Sequence, residues 1–140
     1  MTSYCFDVEV INGGEDDNIS IGLNSDGSTN SPGMNDNTIG IYGVDGSVLR
    51  NGEEVFEALW NEALLFTTGD HISCRVVRSK ISNDQFTITS CHFSKNGVLM
   101  ESKFNVGGKK HYPAVGLHSP GAAVRITLNT NEKPGKFILI

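Results

Sequence analysis

Apolar and polar side chains alternate from the first residues of this chain. Tyr4, Phe6, Val8 and Val10 interleave with Cys5, Asp7 and Glu9, a period of two that marks a strand with one buried face. Asn12-Gly13-Gly14 interrupts it, and Ile19, Ile21 and Leu23 then alternate with Ser20 and Gly22. Residues 4–23 therefore read as a hairpin. The next stretch, 24–38, NSDGSTNSPGMNDNT, holds almost no apolar side chain; a loop of that length is usually functional or mobile. Thr38 to Tyr42 is a short strand and Val44 to Ser47 a turn. Val48-Leu49-Arg50 runs into Asn51-Gly52, whose tolerance of positive φ makes it a hairpin signal.

Residues 53–66, EEVFEALWNEALLF, are where helix competes. Val55, Leu59 and Ala63, and Phe56 and Trp60, recur at three- to four-residue spacing among good helix formers. At most one short helix or turn is expected, near 53–64. Alternation returns in 71–78, HISCRVVR, and again from Phe86 to Phe93, with 79–85 as the link. Asn96-Gly97 is the second hairpin signal. HYPAVGLHSPGAAVRI, 111–126, reads as strand, short loop, strand, and Lys136 to Ile140 as a last strand. Many short strands punctuated by turns predict an all-β, antiparallel two-sheet β-sandwich, and 140 residues suit a single domain.

Charge narrows the partners. Eleven Lys and Arg stand against sixteen Asp and Glu, for a formal net charge of -5; nucleic acid would want a basic stripe, so no nucleic-acid partner is expected. No window approaches the length of an apolar membrane span, so no membrane partner is expected either. Cys5, Cys74 and Cys91 are odd in number and lack ligand spacing. They fit reduced thiols and a cytoplasmic or nuclear location better than a disulfide framework. No metal or cofactor is expected: the loop aspartates lack the D-x-D-x-D-G order of a calcium site, and the 40–46 glycines do not form a phosphate loop.

Five segments in series resemble the SPRY domain, the core of the B30.2 module. They are SYCFDVEVINGGEDDNISIGL, SPGMNDNTIGIYGVDGSVLRNG, FTTGDHISC, HFSKNGVLMESKF and HYPAVGLHSPGAAVRITLN. They span roughly residues 4–129 in the family's order and are most similar to its Ran-binding protein M and multi-copy SPRY branches. Three positions depart from the family's usual residues. Met34 stands where tryptophan is usual, Tyr42 where histidine is usual, and Ser73 where glycine is usual. Many full modules also carry one or more strands before the first segment matched here. The resemblance therefore implies a bent sandwich whose N-terminal strand has an uncovered edge open to self-association.

The resemblance further implies a non-enzymatic protein-protein interaction module. Loops at one rim would bind a short peptide segment of a protein partner, as part of a scaffold, adaptor or substrate receptor. The candidate peptide-binding residues are Met34, Asn35, Tyr42, Leu49, Asn51, His118, Ser119 and Pro120, on three loops expected to converge: 24–38, 42–51 and 118–121. Leu49 and the His118-Ser119-Pro120 turn match positions that line the groove in relatives. Three alternatives compete. One is a carbohydrate-binding β-sandwich using Tyr42 or Trp60 as an aromatic platform. Another is a structural domain packed within a larger protein. The third is an enzyme built on a Cys91–histidine pair, for which no catalytic residue set is evident.

Overall fold

The computed structural model describes residues 2–25, 30–56, 65–82, 85–99, 110–128 and 137–140. These form eleven strands and no helix: β1 (Thr2–Asn12), β2 (Ile19–Ser25), β3 (Ile39–Tyr42), β4 (Val48–Arg50), β5 (Glu53–Phe56), β6 (His71–Ser82), β7 (Gln85–Lys95), β8 (Val98–Leu99), β9 (His111–Leu117), β10 (Ala123–Leu128) and β11 (Ile138–Leu139). Two sheets result. One has five strands in the order β10-β1-β6-β7-β8, the other six in the order β11-β9-β2-β3-β4-β5. The pairings are antiparallel except for β11 on β9. The all-β sandwich is as the alternation predicts.

The core lies between the sheets. Tyr4, Phe6, Val8, Val10, Ile72, Cys74, Val76 and Phe93 face in from the five-stranded sheet. They meet Ile19, Ile21, Leu23, Ile39, Ile41, Val48 and Val115 from the other, all buried. Each fully buried aliphatic or phenylalanine side chain contributes about 1.5–3 kcal/mol. The Asn-Gly dipeptides make the tight turns their chemistry allows. Asn51 and Gly52 have φ of 55° and 79°, and Asn96 and Gly97 have 50° and 84°, so β4 returns as β5 and β7 as β8.

Three expectations are corrected. Residues 4–23 are not a hairpin: β1 pairs with β10 and β6, whereas β2 pairs with β3 and β9. The Gly13–Asn18 connection crosses from one sheet to the other. Alternation reports which face of a strand is buried, not which strand lies beside it. The first strand also has no uncovered edge for self-association, because β10 and β6 occupy both its sides. Finally, residues 53–56 are strand rather than helix. The Asn51-Gly52 turn sets Glu53 opposite Arg50 and Glu54 opposite Leu49, and that pairing overrides a weak helical preference. The rest of the helix-prone segment, 57–64, lies outside the described residues.

A candidate binding cleft on the outer face of the six-stranded sheet

Every residue of β2 and β3 is buried, although alternate residues of a strand face opposite ways. One face meets the core. The other carries Ser20, Gly22, Gly40, Tyr42, Ala114 and Gly116 side by side, through the pairs Ser20–Tyr42, Gly22–Gly40, Gly22–Ala114 and Ser20–Gly116. The loop 30–38 folds back over this outer face. The glycines make room for it: a β-carbon on Gly40 would stand 2.3 Å from the Pro32 carbonyl oxygen, and one on Gly116 would stand 3.1 Å from Ser31 Oγ.

The loop is held from three sides. From beneath, the Tyr42 hydroxyl donates to Pro32 O at 2.8 Å. Burial pushes this phenol up to about 12, against the smaller opposing effect of the Ser31 hydroxyl, so it remains a donor at neutral pH. Internally, Gly33 N–H donates to Thr38 Oγ1 at 3.0 Å and the Thr38 hydroxyl donates to Asn35 O at 2.6 Å. On one flank, Gly52 N–H donates to Gly33 O at 2.8 Å and Asn37 N–H to Asn51 Oδ1 at 2.7 Å. The other flank reaches His118, whose Nε2 lies 2.6 Å from Ser31 Oγ.

His118 owes its position to a pair of crossings. The β1–β2 and β9–β10 connections pass between the sheets next to one another. Glu15 N–H donates to Pro120 O at 3.0 Å, and His118 N–H donates to Asn18 O at 2.9 Å. Asp16 N–H donates to Ser119 Oγ, also at 3.0 Å. Between this turn and the covering loop opens a cleft of about 430 Å³, lined by Asn30, Ser31, Met34, His118 and Ile140. Ile140 is fixed by backbone bonds to Val115 and Leu117. The cleft thus combines two apolar side chains, Met34 and Ile140, with amide, hydroxyl and imidazole groups. That mixture suits an extended peptide with an apolar anchor and backbone polar groups.

Of the eight residues singled out in the sequence, Met34 and His118 line the cleft. Met34 is 49% exposed. Asn35 stands one step back, its Oδ1 accepting from Asn30 Nδ2 at 2.8 Å. Ser119 is buried, and with Pro120 it braces the His118 turn. Leu49 and Asn51 sit on the far flank of the covering loop, Leu49 against Gly33. Tyr42 lies under the loop at 7% exposure, which leaves no ring face for a sugar; Trp60 lies outside the described residues. The three loops therefore meet through the covering loop rather than around one shared opening. Asn30, Ser31 and Ile140 were missed. The signal for the first two was the row of glycines opposite them; Ile140 is brought in by strand pairing alone.

A second polar group lies on the outer face of the five-stranded sheet. His71 Nδ1 is 2.9 Å from Asp7 Oδ2, and the Ser73 hydroxyl donates to Asp7 Oδ1 at 2.9 Å. Hydroxyl and imidazole thus both bond the carboxylate rather than each other, unlike a nucleophile and its base. The hydrogen bond to Asp7 is the largest influence on His71 and raises its pKa, with Glu9 and Asp70 adding to it. Cys91, which the enzyme alternative would use as nucleophile, is fully buried in the core. Among the described residues, no three His, Cys, Asp or Glu side chains are placed to hold a metal ion, and no helix is long and apolar enough to cross a membrane.

Known structures share this architecture. A crystal structure of a human SPRY domain superposes with a TM-score of 0.66 at 22% identity, covering 93% of this chain and 78% of that one. The chain folds as a SPRY domain. The SPRY domain of human HERC1 matches with a TM-score of 0.57 at 16% identity, over 94% of this chain and 76% of its own. In sequence, the domain is 32% identical over 139 residues to a Drosophila melanogaster Ran-binding proteins 9/10 homolog. It is 33% identical over 124 residues to Danio rerio Ran-binding protein 9 and 32% identical over 124 residues to the Homo sapiens protein of that name. These alignments cover 96%, 86% and 86% of this chain but only 13%, 19% and 15% of the relatives. No family model matches the sequence.

Proposed function

We propose that this SPRY domain is a non-catalytic protein-interaction module. It takes a short, extended segment of a partner protein into the cleft between the covering loop and the His118 turn, as the recognition part of a scaffold, adaptor or substrate receptor in the cytoplasm or nucleus. The carrying observation is the cleft itself. Met34 and Ile140 offer an apolar seat, and Asn30, Ser31 and His118 offer polar groups, on a loop braced from three sides. Such preorganisation limits the ordering cost of binding. The relatives named for binding Ran make an interaction role the natural class.

The test is selection from a display library of random short peptides on the native domain, followed by affinity measurement on variants. Met34→Asp and His118→Ala are expected to weaken the selected peptides at least tenfold, the scale of an interface anchor worth about 1–2 kcal/mol. Leu99→Asp, on the exposed β8 edge, is expected to leave them unchanged. Loss with Leu99→Asp and retention with Met34→Asp would move the site to the β8 edge.

A further inference from the structure

The charge around the cleft bears on what it could hold. The first 49 residues contain Asp7, Glu9, Glu15, Asp16, Asp17, Asp26, Asp36 and Asp45 and no Lys or Arg. Residues 111–124 and 137–140 also lack Lys and Arg. All the segments that build the cleft, namely 30–38, the 118–121 turn, the 13–18 crossing bound to it and 137–140, fall within these stretches. Glu15, Asp16 and Asp36 are exposed. The bonds from Glu15 N–H to Pro120 O and from Asp16 N–H to Ser119 Oγ hold these two acidic residues beside the turn that presents His118.

The exposed carboxylates of Glu15 and Asp16 call for hydrogen-bond donors. A lysine or arginine supplies donors and positive charge without accepting in return.

We propose that the cleft selects a cationic segment. An apolar side chain of the partner beds between Met34 and Ile140, and a neighbouring Lys or Arg extends over the His118 turn to Glu15 and Asp16. This rests on reading the cleft as a peptide site and adds the chemistry of the peptide. Charges at the edge of an interface act mainly on association rate and salt dependence, which sets the form of the test.

The same display library is selected on the native domain, and the enriched peptides are titrated against three proteins: native, Glu15→Gln/Asp16→Asn and Met34→Asp. The paired variant removes charge at constant size, and Asp16→Asn keeps the side-chain oxygen that accepts from Asn18 N–H. The expected result is enrichment of peptides with Lys or Arg next to an apolar residue. Their affinity should fall roughly three- to tenfold in the paired variant, and similarly on raising salt to about 1 M, where the screening length is about 3 Å. Peptides lost with Met34→Asp but indifferent to the paired variant and to salt overturn the cationic preference and leave the cleft assignment standing. Peptides indifferent to Met34→Asp, or no enrichment at all, overturn both.

Discussion

The two sheets of this sandwich treat their outer faces in opposite ways. On the five-stranded sheet the outer face stays open and polar: Asp7, Glu9, His71, Ser73 and Arg125 stand on it, linked by hydrogen bonds and ion pairs. On the six-stranded sheet the outer face is small and covered: Gly40 and Gly116 lie beneath the covering loop, beside Gly22 and Ala114. An antiparallel sheet normally needs only one dry face. The second dry face therefore indicates where the fold has spent sequence on something other than its core, and the cleft lies along it.

The sharpest way to break this contrast is to put a side chain where the covering loop needs none. Gly40→Ala drives a β-carbon against the backbone of Pro32 and is expected to destabilise by about 1–3 kcal/mol in urea unfolding, as overpacking does. Thr127→Ala, exposed on the open sheet, is expected to stay within about 0.5 kcal/mol. Equal effects would mean that the loop rests lightly on its sheet. Next in size, Tyr42→Phe removes the hydroxyl that holds Pro32. It should cost about 1 kcal/mol and weaken peptide binding through loosening of the loop, although Tyr42 itself is hidden; unchanged stability would show that the flanking bonds alone suffice.

The smallest effect belongs to the open sheet and depends on pH. His71 is raised above its unfolded value near 6.5. Its pairing with Asp7 therefore stabilises fully below that pH and is lost as pH rises through the raised folded value. Melting temperatures of native protein and Asp7→Asn should differ more at mildly acidic pH than above neutrality. A difference that does not vary with pH would assign the contribution to the Ser73 hydrogen bond instead.

Much of this fold could be read along the chain. Alternation in Tyr4–Val10 and Ile19–Leu23 correctly gave the buried faces, and Asn51-Gly52 and Asn96-Gly97 gave tight turns. What failed was adjacency. The short Gly13–Asn18 link looks like a hairpin loop, but β1 finds its partners about 65 and 115 residues away in sequence, in β6 and β10. The cleft was half legible. Met34 and His118 stood out as loop residues, whereas Tyr42 looked like a contact because its burial comes from a loop whose path no local pattern records. The glycines at 40 and 116 held that information, since glycine within a strand marks a close approach by another segment.

The paired crossings also bear on the order in which this protein folds. The Asp16–Ser119 bond joins residues 103 apart in sequence, so its loop-closure cost is met only when both ends of the chain have been brought together. Helix-free, long-range pairing of this kind places a domain among the slower folders. His118 takes its position through the pairing of β9 with β2, where Leu117 stands opposite Ile19 and His118 N–H donates to Asn18 O. The candidate cleft therefore depends on long-range pairing, and a chain that has collapsed without it would lack the surface that Met34, His118 and Ile140 build.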